Sequence, residues 1–441
     1  MTKTKKHKKT SDSRFINLVE RTIITNDNSL FSTLDNLCFL SKNMYNATLY
    51  KIRQAFINER KYLTYNELDK YFRDSQNVDY LALPQKVSQQ SIRLGCQAVT
   101  SFYSSVKSKK ANNETRKVHM PHYLDSTSGR QTILYTKQAV STKQLKTEGY
   151  YTLSQVMDSE NNLIQFKTAV KNIQFVRISH YGNHIAIEVG YKEYIKHHKQ
   201  TPNIASIDLG INNIVTLTTN FDSPIIINGK PLKYINHEYN SKIAKIQSVN
   251  KHCNNIEENK WAQHMYNINL KRQCRINDYM HKISRFIVNY LVSNHVNTLI
   301  VGKNDGWKQN TNMSKTNNQN FVQIPFNNLI HMLEYKGNLQ GINVVTICES
   351  HTSKCSFIDN EKICHHDKYI GKRKTRDLFY TKNNICINAD VNGSYNIMKR
   401  WCISNKKEQY LCFNKYLICK NPTIITLKLN SKKCDIGEYI N

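Results

Sequence analysis

Three acids stand where an apolar stretch ends or a helical pattern begins. Asp208 follows Ile204-Ala205-Ser206-Ile207 and precedes Leu209-Gly210. Glu349 follows Val344-Val345-Thr346-Ile347-Cys348, and Asp390 lies within Asn388-Ala389-Asp390-Val391-Asn392-Gly393. Carboxylates gathered in one place repel one another, and hard divalent cations make such a cluster tolerable. Mg²⁺ takes oxygen ligands of this kind. Two such ions about 4 Å apart activate a water and neutralise charge on an attacked phosphate. The chemistry within reach is phosphodiester hydrolysis. Each acid also has a plainer role open to it: a turn or cap for Asp208, a helix N-terminus for Asp390, a surface acid for Glu349.

The rest of the chain is suited to a polyanion. It has 63 Lys and Arg against 33 Asp and Glu, a formal net charge of +30. Charge of this size repels itself and is relieved by nucleic acid. A lysine-rich, AT-biased genome is the bland alternative, but such bias would raise acids as well. No apolar run reaches the ~18 residues of a membrane span, and no long basic amphipathic helix fits a membrane surface. The lysine-rich start reads as a basic arm rather than a secretory signal. The twelve cysteines form no C-x-x-C pair and read as reduced intracellular thiols. The protein is expected inside cells, in the nucleus for a eukaryotic or viral source and otherwise in cytoplasm or nucleoid.

The elements that must position the acids follow from periodicity. Residues 1–13 read as a disordered basic arm, whose Lys5-Lys6-His7-Lys8-Lys9 fits a nuclear import signal or an RNA-contacting arm. Arg14 to Asn26 reads as a strand and about 29–110 as helical, divided at Pro84. Lys107 to Lys117 reads as a basic linker, facing phosphate or merely solvated. Residues 131–195 read as strands. Strands at Ile204–Ile207, Ile214–Leu217 and Ile225–Ile227 form an expected antiparallel meander. Two long helices, a strand at Thr298–Val301, a helix opened by Pro325 and closed by Gly337, and a strand at Ile342–Ile347 come next. A basic loop then leads to a helix from Asp390 to about Trp401. The lysine-rich tail from Asn405 carries no functional reading. This order is that of an RNase H-like sheet.

Several longer strings carry a resemblance. Asp208-Leu209-Gly210, residues 302–309 with Trp307-Lys308-Gln309, residues 318–326, Glu349 through Ser356, Gly371 through Arg376, and Asn388 through Asn396 together resemble the RuvC-type nuclease of the TnpB (OrfB) transposon-associated proteins and their Fanzor relatives. The resemblance covers most of the chain. It implies an α/β plus β architecture: an N-terminal wedge β-barrel over 14–195 with a helical recognition insertion (about 29–110), an RNase H-like (RuvC) domain over 196–402 with a basic loop insertion at 350–388, and a tail over 403–441. It implies an RNA-guided DNA endonuclease with guide RNA and target double-stranded DNA as partners, two Mg²⁺ or Mn²⁺ ions, and Asp208, Glu349 and Asp390 as metal-holding catalytic acids. A nuclease that has decayed to a guide-RNA and DNA binder, and a strand-transfer transposase, are the other readings. The oligomeric state stays open.

Two departures from the family pattern matter. Most members carry the middle glutamate at the end of the strand that here ends at Val301, and this chain has Gly302 there. One branch carries a relocated glutamate further on, which Glu349 fits; Asp305 is held in reserve. Most members also have a zinc ribbon between the last two acids. Here Cys355 alone holds a matching position, and although Cys364, His365, His366 and Cys386 are near in sequence, their spacing fits no regular site, so zinc is not expected. Lys354, Lys372, Arg373, Lys374, Arg376 and Asn392 are expected to meet nucleic acid, the cations by pairing with phosphates. Trp307 could stack on a base while Lys308 and Gln309 meet its backbone, or be a core tryptophan.

Overall fold

The computed structural model describes residues 15–157, 160–197, 201–252, 258–303, 322–375, 377–411 and 418–429. These fall into two compact units, Asn17–Glu193 and Tyr194–Cys434. The content is mixed α/β throughout.

The first unit begins with β1 (Phe15–Thr25), then α1 (Leu30–Glu59), α2 (Tyr65–Asp74), α3 (Val78–Leu81) and α4 (Gln85–Ala111). Local chemistry sets the helix starts. Thr64 and Glu67 form a reciprocal capping box on α2, and the Asn77 side chain caps α3. Pro84 stands before α4. Buried Leu34, Leu37, Cys38, Ser41, Met44, Tyr45, Thr48 and Leu49 form one stripe of α1. That stripe lies on α4 so closely that a Cβ at Gly95 would stand 2.7 Å from Thr48 Cγ2. Helix α4 runs on through Ala111, so the expected linker at Lys107 begins as helix, because nothing there breaks it. Strands β2 (Ile133–Thr136), β3 (Val140–Ser141), β4 (Tyr150–Met157), β5 (Leu163–Lys167), β6 (Ile173–His180) and β7 (His184–Tyr194) complete the unit. They form two sheets, ordered β1-β7-β6-β2 and β3-β4-β5. Buried Glu188 on β7 is held between Arg21 and Arg177.

The second unit is built on one six-stranded sheet. Its elements are β8 (Ile204–Leu209), β9 (Asn213–Thr219), β10 (Ile225–Asn228), α5 (Lys230–His252), α6 (Glu258–Ser293), β11 (Thr298–Gly302), α7 (Phe326–Gln340), β12 (Asn343–Ile347), β13 (Lys372–Arg373), β14 (Leu378–Tyr380), β15 (Cys386–Asn388), α8 (Ala389–Ser404) and β16 (Thr423–Ile425). The sheet order is β12-β11-β8-β9-β10-β16. Strands β8, β9 and β10 are an antiparallel meander, while β11 lies parallel to β8 and β12 parallel to β11. Side chains alternate across a strand, and both faces here are covered. Ala205, Ile207 and Leu209 join the core formed with α6 and α7. Ile204 and Ile300 face the other way, onto Ile397, Met398 and Trp401 of α8.

One expectation changes, and two regions show added structure. Gly337 does not close α7; it is buried inside the helix, where a Cβ would stand 3.0 Å from Val344 Cγ2. Gly341 closes the helix, with φ +76°, a left-handed geometry that glycine adopts freely. In the tail, β16 adds to the sheet edge parallel to β10. The 350–388 loop contains its own three-stranded sheet, β13-β14-β15. Trp307, Lys308, Gln309, Arg376, the reserve Asp305 and the basic arm lie outside the described residues.

Candidate active site

Three parallel strands bring their C-terminal ends together. Val301 pairs with Ile207 and Gly302 with Ile347, so β8, β11 and β12 end side by side at neighbour spacings of about 4.8 Å. Asp208 alternates with Ile207 and so points to the α8 face, as Ile204 and Ser206 do. Ser206 Oγ there donates to the Ser394 carbonyl at 2.7 Å, which ties β8 to α8. A Cβ at Gly393, in the first turns of α8, would stand 2.7 Å from Asp208 Oδ2. The missing side chain at 393 is the space that the Asp208 carboxylate uses.

Gly302 plays the same part for Glu349. A Cβ there would meet Glu349 Oε2 at 2.8 Å and Ile397 Cδ1 at 2.4 Å. The Glu349 carboxylate therefore lies over the end of β11, having reached it from the turn after β12. The third acid sits at the start of α8. The Asn388 side chain caps the helix, accepting from the Asp390 and Val391 amides at 3.0 and 3.1 Å. Asp390 then stands in the first turn, where the helix dipole favours a negative charge. Its Oδ2 accepts from Asn213 Nδ2 at 2.7 Å, and its Oδ1 lies 3.5 Å from Arg373 Nη2.

Asp208 senses the other two acids. Burial raises the Asp208 pKa well above the usual carboxylate range, and the charges of Glu349 and Asp390 add to the rise, while Arg373 opposes it. Burial alone lifts Glu349 to about 7. Among the described residues, no group of three or more His, Cys, Asp or Glu is placed to hold a metal ion. The donors nonetheless fit hard divalent cations. Burial disfavours the ionised forms of Asp208 and Glu349, repulsion adds to this at Asp208, and a cation relieves both. Two glycines leave room beside them.

The other candidate residues divide. Lys372 and Arg373 form exposed β13, and Lys374 stacks its ammonium 4.3 Å over the Tyr380 ring. Lys354 is exposed. Asn392 departs from expectation: it is fully buried and its amide is committed, Oδ1 accepting from Phe357 N at 2.9 Å and Nδ2 donating to the Cys355 carbonyl at 2.8 Å. It is a packing residue because its helix face turns inward. At the zinc-ribbon position, Cys355 is buried and donates to the Lys362 carbonyl at 3.4 Å. The loop is tied by Glu361, whose two oxygens accept from Ser356 N at 2.7 Å and Ile370 N at 2.9 Å. Asn213, Glu361, Asn396 and Arg400 were not anticipated. The four-residue recurrence of Asn388, Asn392 and Asn396 was the available signal for the last pair.

A strongly basic α/β protein, with two acids at strand ends of one sheet and a third at the start of the helix packed on it, is the class that the fold and the site define. Comparison with known proteins narrows it. The OrfB_IS605 family model, described as a probable transposase, matches residues 184–308. The TNB domain model of Cas12f1-like proteins matches residues 326–397. TnpB-like protein ORF457 of Acidianus two-tailed virus is 25% identical over 410 residues, covering 83% of each chain. TnpB-like protein MJ0751 of Methanocaldococcus jannaschii is 25% identical over 206 residues, 46% of this chain and 70% of that one. The resemblance to TnpB proteins carried by the motifs is thus borne out. Among solved structures, a Cas12f1–sgRNA–target DNA complex aligns with TM-score 0.48 at 11% identity, covering 84% of this chain and 82% of that one. The mini-RNA-guided endonuclease CRISPR-Cas_phi3 aligns with TM-score 0.42 at 9% identity, covering 88% and 92%. No helix among the described residues is long and apolar enough to cross a membrane.

Proposed function

We propose that this chain is an RNA-guided, metal-dependent DNA endonuclease that hydrolyses DNA at a single RuvC-like site, with Asp208, Glu349 and Asp390 as its metal-holding acids. The observation that carries the proposal is that the Glu349 and Asp208 carboxylates lie against Gly302 and Gly393, in the space a side chain there would fill, with the charges of Glu349 and Asp390 felt at Asp208. Mg²⁺ or Mn²⁺ held there would supply an activated water and neutralise charge on the attacked phosphate. The chain's own residues supply the rest. Asn213 donates to Asp390 and keeps one of its oxygens aimed. Arg373 stands beside Asp390, placed to pair with a phosphate entering over the acids. Lys372 and Lys374 flank Arg373 along the chain, and they, with Lys354, Trp307, Lys308, Gln309 and Arg376, take the same nucleic-acid role in this reading.

In this reading the six-stranded sheet is an RNase H-like nuclease core, and the first unit is a wedge barrel with a helical recognition insertion. The net charge of +30 and the TnpB-like motifs support guide RNA and target DNA as partners; base pairing to the guide then selects the sequence. The Glu349 charge felt at Asp208 favours an active nuclease over a decayed one. The test has two arms. Purification from cells followed by sequencing of bound RNA is expected to yield one discrete species, and Glu349→Gln is expected to abolish Mg²⁺-dependent cleavage while RNA binding stays within a few-fold. Cleavage retained by Glu349→Gln, or no bound RNA, would sink the reading.

A further inference from the structure

Glu349 stands two residues beyond the end of β12, in a turn that something must fix in place. A neighbouring helix does. Asn392, Asn396 and Arg400 recur every fourth residue and line one face of α8. They grip the returning chain in order. Asn392 binds the Phe357 amide and the Cys355 carbonyl, and Asn396 Nδ2 donates to the Cys355 and Thr352 carbonyls at 2.7 and 2.8 Å. Arg400 Nη1 donates to the carbonyls of Cys348 and Ser350 at 2.9 and 2.8 Å. Those two carbonyls bracket Glu349. The carbonyl of Glu349 itself accepts from Thr352 Oγ1 at 2.8 Å. Three consecutive carbonyls are therefore engaged, two of them by one cation.

We infer that Arg400 is a positioning residue for Glu349: its guanidinium clamps the peptide on either side of the acid and so holds the carboxylate over Gly302, within the field of Asp208. The inference rests on the nuclease reading above and adds to it a residue that touches neither substrate nor metal. A glutamate reaching its site from a turn has more backbone freedom than one on a strand, and a metal site tolerates only about 0.5 Å of looseness in its ligands. Hydrogen bonds donated by a cation are roughly twice as strong as neutral ones, which suits this restraint.

The test is Mn²⁺ binding by the full chain, followed by electron paramagnetic resonance or calorimetry, in the wild type, Arg400→Met, Glu349→Gln and the double variant. Removing an outer support of a metal ligand weakens affinity about tenfold or more, and that loss is expected for Arg400→Met. The double variant is expected to bind no more weakly than Glu349→Gln alone, because the clamp acts only through the acid. Arg400→Gln carries the same cycle should the methionine variant fail to fold, and Arg400→Lys is expected to regain part of the affinity. Unchanged affinity in Arg400→Met overturns the inference. Additive losses in the double variant also overturn it, since Arg400 would then act on the helix as a whole. A folded wild-type chain that binds no Mn²⁺ overturns the metal reading of the three acids, and the clamp falls with it.

Discussion

Glu349 and Gly302 have to be understood as a pair. The carboxylate occupies the volume that any side chain at 302 would claim. Gly302→Ala is expected to displace Glu349 and Ile397 together, to cost about 1–3 kcal/mol of stability from overpacking, and to slow cleavage at least tenfold; melting and cleavage rates measured on one preparation check it. A rate unchanged from wild type would mean that Glu349 works from another place. The raised Glu349 pKa has a signed consequence. Between its ordinary 4.5 and about 7, the folded, metal-free protein binds a proton that the unfolded chain has released. Stability without metal therefore falls as pH rises through that window. Glu349→Gln removes the Glu349 share of the dependence, leaving that of Asp208, and is expected to melt a few degrees above wild type at pH 8 in chelator. The same proton competes with the cation, so Mn²⁺ affinity is expected to rise with pH up to about 7 and then level off. A flat calorimetric profile from pH 6 to 8 would contradict this.

Helices α6 and α7 meet across a buried lysine. Lys336 Nζ on α7 donates to the His281 carbonyl at 3.0 Å and to Ser284 Oγ at 2.7 Å on α6. Burial, with help from Arg285, lowers its pKa to about 7. The sign is opposite to that of Glu349. Between about 7 and 10.5 the unfolded chain holds the proton that the folded one lacks, so stability rises with pH across that window. Lys336→Met is expected to flatten that rise and to raise stability at pH 7, as a well-packed apolar replacement of a buried charge often does. Urea denaturation at pH 7 and 9 checks it; a variant that keeps the slope would locate the titration elsewhere. The element α8 shows how much one helix can organise: it presents Asp390, makes room for Asp208 at Gly393, and grips the Glu349 turn through Asn396 and Arg400.

The excess of thirty positive charges acts at the scale of the whole molecule. Affinity for nucleic acid of any sequence is expected to fall with the logarithm of salt concentration, by a factor of about 10³–10⁵ between 50 and 200 mM for six to ten phosphate contacts. Filter binding across that range checks it, and a salt-independent affinity would remove the polyanion as the explanation of the charge.

Much was legible because it is local. The meander around Ile204–Ile227, the long helices and the strand before Gly302 follow from hydrophobic period alone, and the acids follow from their junction positions and the motif strings around them. What failed was settled at a distance. Asn392 looked like a nucleic-acid contact because an asparagine gives no sign of which way its helix face will turn. Strand β16 was hidden because three residues of Thr423–Ile425 become a strand only when β10 offers an edge. Gly337 looked like a helix end because glycine marks stops and close approaches alike, and only the packing of α7 on Val344 tells them apart. The sequence by itself determined the charge, the order of elements and the choice of candidate carboxylates. The tertiary structure alone decided that Glu349 comes to rest over Gly302, that Arg373 stands among the acids, and that α8 holds the loop between them. Periodicity is written in neighbours along the chain, whereas the site is assembled from segments up to 188 residues apart, as Ser206 and Ser394 are.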